Sequence, residues 1–101
     1  PAGLVGHVDR GSWQVPPIFQ LVRTLGPVEW ADLEQTLNLG IGMVAVVAPD
    51  TAQAALDRSR EAGVAAWELG RVTGSTEPGG DVVTGTKGTH GGAVQLHGTY
   101  R

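Results

Sequence analysis

The 101-residue sequence contains no cysteine. Disulfides, zinc–thiolate sites and thiol nucleophiles are therefore excluded, and the redox compartment leaves no mark on the sequence. Basic residues are few: seven Lys and Arg against ten Asp and Glu give a net charge of −3. That balance supplies neither the basic surface that a nucleic acid requires nor a polybasic anchor for an acidic membrane. Long apolar runs are also missing. The longest, Met43 to Pro49, falls far short of the roughly 20 residues of a membrane span. The amino end shows no basic start followed by an apolar stretch, so no signal peptide is expected. Aromatic residues make up only 5%. What is plentiful is glycine, 16 of 101 residues, about double the usual ~7%. The length fits one domain.

The large apolar residues are mostly Val (13) and Leu (9), a composition suited to a sheet packed with helices. Leu4 to Val8 reads as a first strand. Pro16 and Pro17 suit the first turn of a helix, where a missing N–H costs nothing. Ile18, Leu21, Val22 and Leu25 follow at helical spacing, and Gly26 is a natural stop. Trp30, Leu33 and Leu37 predict a second helix, ending near Asn38, with Glu29, Asp32 and Glu34 facing solvent.

Ile41 to Ala48 is nearly all apolar and predicts a strand covered on both faces. Asp50, with Gln53 three residues on, predicts the cap of a third helix that ends at Gly63. Alternation predicts strands at Ala65 to Gly70 and at Ala93 to His97. Between Thr73 and Gly92, seven of twenty residues are glycine. Such a stretch buries too little apolar surface to offset its ordering entropy, and a flexible loop is expected at about 73–92, with a brief strand at Asp81 to Thr84. The order is β-α-α-β-α-β-loop-β, which fits an α+β fold. The residues around 41–72 suit either a parallel crossover or a helix laid over an antiparallel sheet.

Asn38-Leu39-Gly40-Ile41-Gly42-Met43 is the most informative segment. Two glycines two apart permit positive φ or close approach of another group to the backbone, and bare N–H groups in such a turn can bind an anion. The segment is no dinucleotide fingerprint, because that motif follows a strand and opens a helix. A tight turn and a ligand contact explain the glycines equally well, and Asn38 serves equally as a helix C-cap or a polar contact. His7, His90 and His97 have no carboxylate or second histidine at metal-ligand spacing and are expected to face solvent. No metal set and no catalytic residue is assigned. Trp13, Trp30 and Trp67 are expected as core or interface anchors, and no Walker loop or nucleophile elbow is present.

The residues also carry a specific pattern. Ser12-Trp13, Pro16-Pro17-Ile18-Phe19, Leu25-Gly26-Pro27-Val28 and Glu34-Gln35-Thr36-Leu37-Asn38-Leu39-Gly40-Ile41-Gly42-Met43 follow one another in order, then Ala62-Gly63 and Ala66-Trp67-Glu68-Leu69-Gly70. This resembles the carboxy-terminal part of the phosphoribosylformylglycinamidine cyclo-ligase family, also called aminoimidazole ribonucleotide synthetases. Two departures stand out: Gln35 where many members have arginine, and Leu37 where they have phenylalanine.

The resemblance implies an α+β domain with a mixed sheet of about four strands and helices packed on it, partly ferredoxin-like. Residues 1–101 would be a carboxy-terminal domain fragment, and the start at Pro1 fits a piece of a longer protein. The implied reaction belongs to purine biosynthesis. ATP activates the formyl amide oxygen of formylglycinamidine ribonucleotide, the amidine nitrogen attacks, phosphate leaves and the imidazole ring closes. ATP and Mg²⁺ would serve the parent protein and not the fragment, which is expected to be inactive alone. Asn38, Gly40 and Gly42 would lie near the substrate cleft. The implied partners are the missing amino-terminal domain and a second copy in a homodimer, with neither nucleic acid nor membrane, in the cytoplasm. The alternatives are another ATP-using member of the same superfamily, or a non-catalytic α/β module for assembly or anion binding.

Overall fold

The computed structural model describes residues 2–85 and 91–101. The chain divides into two compact units, Pro1–Trp13 with Ala65–Arg101, and Gln14–Val64. The first holds a four-stranded sheet of β1 (Val5–Asp9), β2 (Gly70–Thr73), β3 (Asp81–Thr84) and β4 (Ala93–His97). Its order is β2-β1-β4-β3, with β1 and β4 parallel at the centre and an antiparallel strand on each side. This is the mixed four-stranded sheet of an α+β fold. The strands at Asp81–Thr84 and Ala93–His97 stand where the sequence predicts them.

Register sorts the side chains of this sheet onto two unlike faces. His7 stands opposite Arg71 on one side and Gln95 on the other. Residues two apart share a face, so Thr73, Asp9 and His97 join them in a polar row, with Val5, Ala93 and Val82 on the same face. The opposite face carries Val8, Val72, Val83, Val94 and Leu96. Gln95 is fully buried, and its side-chain amide bonds the backbone of Glu77 and Gly79. The 74–80 segment is thereby drawn across the polar face. At the strand's end, the Asp9 carboxylate accepts from Gly11 N at 2.9 Å and opens a 3-10 turn over Arg10–Ser12. Arg10, also buried, donates to Leu96 O, Gly98 O and Asp81. Trp13 is buried beside Trp67, with which it stacks, and meets the edge of Tyr100. Two of the three tryptophans thus anchor this unit as expected.

The second unit carries the helices α1 (Pro17–Leu25), α2 (Trp30–Thr36) and α3 (Ala52–Glu61). Pro17 opens α1, and Gly26 closes it by donating to Val22 O at 2.9 Å. In α2 the buried side chain is Leu33, and Glu29 and Asp32 are exposed. Gly63 ends α3 at φ +81°, where a left-handed residue lets Val64 N reach Ser59 O.

Three expectations fail. Residues 41–48 form no strand; they have no ladder partner among the described residues, and Met43 and Val46 are 90% and 78% exposed. An apolar run signals burial against something, but it cannot supply the neighbouring backbone that makes a strand. Both arrangements foreseen for 41–72 go with it, and the parallel pair is β1 with β4. Next, β2 occupies Gly70–Thr73, so only Gly70 of the predicted Ala65 to Gly70 strand belongs to it. Last, Asp50 does not cap α3 with its side chain. A 3-10 turn over Pro49–Thr51 precedes the helix, Thr51 bonds Ala48 O, and Gln53 turns outward to Asp57. Part of the loop expected at 73–92 lies outside the described residues.

Candidate functional site

Two places carry residues of chemical interest, one in each unit. The first is the turn after α2. Asn38 Oδ1 accepts from Gly40 N at 2.9 Å, and Asn38 O accepts from Ile41 N at 3.1 Å. Leu39 and Gly40 both take positive φ, +54° and +101°. A buried leucine in that region is held against its own preference, because Cβ crowds the backbone there. Leu39 is only 2% exposed, and its burial holds the turn in this shape. A Cβ on Gly40 would stand 2.6 Å from Pro16 Cδ, so glycine at this position answers a need of the fold itself.

Gly42 differs. It has no positive φ, and a Cβ built on it meets nothing within 4 Å. Nothing in the described residues requires glycine there. Asn38, Gly40 and Gly42, the three residues singled out in the sequence, thus sit together on one exposed turn.

The second place is the polar sheet face. His7 Nδ1 lies 3.0 Å from His97 Nε2, with the ring centroids 5.3 Å apart and the ring planes 20° from parallel. His7 Nε2 is 2.7 Å from Thr73 Oγ1 and 3.0 Å from Ser75 O. A carbonyl only accepts, so Nε2 carries the proton and the Nδ1 lone pair faces His97. Glu77 lies across the same opening and bonds Arg71. That hydrogen bond, with the Arg71 charge, holds the Glu77 carboxyl below the usual carboxylate range. His7, Arg71, Glu77 and His97 border an opening of about 240 Å³.

The sequence expectation of solvent-facing histidines fails at His7, which is 5% exposed. His97 is half-buried, and His90 lies outside the described residues. Local spacing could not find the pair, because its members are 90 residues apart and meet only through the parallel pairing of β1 and β4. The available signal was a histidine on each of two short strands that are otherwise largely apolar.

The 38–42 turn lies within a stretch that matches known proteins. Residues 2–83 match the family described as AIR synthase related protein, C-terminal domain, and the chain belongs to that family. Its relatives carry a more particular name. The chain is 48% identical over 80 residues to the phosphoribosylformylglycinamidine cyclo-ligase of Symbiobacterium thermophilum, covering 79% of this chain and 22% of that one. It is 44% identical over 72 residues to the enzyme of the same name from Sorangium cellulosum, covering 71% and 21%. A Streptomyces fradiae protein named "Putative phosphoribosylformylglycinamidine cyclo-ligase" is 45% identical over 100 residues, 99% of this chain and 50% of its own. The chain therefore spans half the length of one such relative and about a fifth of the others.

Proposed function

We propose that these residues are the carboxy-terminal part of an ATP-dependent cyclo-ligase that closes the imidazole ring of 5-aminoimidazole ribonucleotide in purine biosynthesis. The proposed reaction forms a C–N bond within formylglycinamidine ribonucleotide, driven by ATP with Mg²⁺ and releasing ADP and phosphate. Support comes from the family membership and from the names its relatives carry.

One structural observation carries the reading furthest. The turn ends in a glycine that its own unit does not need, and the exposed apolar residues Met43, Val44, Val46 and Val47 follow at once. Open backbone beside an uncovered apolar stretch suits a segment finished by other protein and by a ligand. Asn38, Gly40 and Gly42 are the proposed residues near the nucleotide-sugar substrate. No acid or base is assigned, because ring closure on an activated substrate depends chiefly on placing the reacting atoms. ATP and Mg²⁺ are proposed to be held by residues outside these 101, in the amino-terminal part of the enzyme.

The proposed assembly is a homodimer and the proposed compartment the cytoplasm. No helix among the described residues is long and apolar enough to cross a membrane.

A graft tests the function. This chain replaces the matching segment of the Symbiobacterium enzyme, and ADP release is followed with formylglycinamidine ribonucleotide and ATP. The graft should turn over, and the 101-residue chain alone should not. A graft that folds, by circular dichroism and gel filtration, yet releases no ADP would overturn the reading.

A further inference from the structure

We propose that His7, Glu77 and His97 form a binding site for one divalent transition-metal cation of the Zn²⁺ and Co²⁺ class. The three side chains come from β1, the 74–80 segment and β4, and offer one ligand atom each, all within 4.8 Å of one another. Two imidazole nitrogens and a carboxylate oxygen are the donor set that suits these ions. The His7 Nδ1 to His97 Nε2 distance is 3.0 Å. Two nitrogens sharing a tetrahedral zinc stand about 3.3 Å apart, given Zn–N bonds of about 2.0 Å. Sharing a metal therefore needs the nitrogens to part by a few tenths of an ångström and each ring to turn by roughly 35°, because the two nitrogens now point at each other along the line between the ring centroids.

The support around the ligands has the character of a built site. A metal-bound histidine commonly donates its other N–H to a carbonyl, which fixes the ring and its tautomer. His7 does this at Ser75 O and Thr73 Oγ1. Glu77 is held by its backbone, whose N–H and carbonyl both bond the fully buried Gln95.

Metal binding requires two further adjustments. The His97 Nε2 proton, now donated to His7 Nδ1, moves to Nδ1 of the same ring, so the pair loses no proton overall. Arg71, whose side chain is 65% exposed, gives up Glu77 to the cation and turns toward solvent. The cavity at this point opens to the surface, which leaves a coordination position for water.

His7 and Glu77 lie within the residues 2–83 that match the family, and His97 lies beyond them. The site does not depend on the cyclo-ligase reading.

The test uses the untagged 101-residue chain, freed of metal with a chelator and titrated with Co²⁺ while its visible absorption is followed. Zn²⁺ is then added as a competitor. The expected result is one equivalent of Co²⁺ in a low-coordinate spectrum that one equivalent of Zn²⁺ displaces. His97→Gln and Glu77→Gln should each weaken binding by tenfold or more. Arg71→Ala should tighten it severalfold, because the carboxylate is no longer shared. His90→Gln should leave it unchanged. His7 is buried and is left intact, and circular dichroism checks the fold of each variant. Binding well below one equivalent would overturn the proposal, as would affinity that survives His97→Gln or is lost in His90→Gln.

Discussion

The 38–42 turn and the polar sheet face solve the same problem in opposite ways. Each gathers polar groups near the surface. In the turn almost every feature is explained from within: Asn38 satisfies Gly40, Leu39 is buried, and Gly40 makes room for Pro16. Only Gly42 and the exposed run behind it are left over. On the sheet face the groups come from three separated stretches of chain and are left facing a cavity. A local motif can therefore be mostly architecture, whereas a cluster assembled by strand register can be invisible to motif reading and still hold the chemistry.

Substitution can break this comparison. The largest effect is expected at Gly40. Gly40→Val adds a clash with Pro16 to a left-handed backbone, and should cost about 3 kcal/mol or more in urea unfolding. Gln95→Leu comes next. It strips the 74–80 segment of the three bonds it shares with Gln95 and should cost about 1–3 kcal/mol. It should also speed amide exchange at Glu77, whose N–H bonds Gln95. Asn38→Ala removes one exposed hydrogen bond, and a loss of about 0.5–1.5 kcal/mol is expected. The smallest effect belongs to Gly42→Ala, within about 0.5 kcal/mol. Should Gly42→Ala prove as damaging as Gly40→Val, the distinction drawn between the two glycines collapses.

A further measurement sharpens the comparison at the level of assembly. The exposed Met43 and Val46 should promote self-association of the 101-residue chain, and Val46→Lys should weaken it. Sedimentation over a range of concentrations reads this directly. A clean monomer at high concentration would contradict this expected self-association.

The helices were legible because their signals are local. Two prolines and a closing glycine bound α1, and periodic leucines and tryptophan mark α2. The strand at Ala93–His97 was legible by alternation. The run at 41–48 departs from the expected strand for a physical reason: hydrophobicity reports what a segment must be covered by, and strand formation depends on hydrogen-bonding neighbours that the run itself does not encode. The cap of α3 departs from the expected capping box because a 3-10 turn, opened by Pro49, takes its place. The turn with Asn38, Gly40 and Gly42 was found because its residues are contiguous. The His7–His97 pair was not, since only the parallel register of β1 and β4 brings the two ends of the chain together.

The claim on which the functional reading rests is that Gly42 is kept small for a bound reactant and not for the fold. The most direct test is Gly42→Val in the Symbiobacterium graft, with KM for formylglycinamidine ribonucleotide and the melting temperature measured on the same preparation. The account predicts a KM raised about tenfold or more, with the melting temperature of the graft unchanged. An unchanged KM, or a raised KM accompanied by a lowered melting temperature, would contradict it.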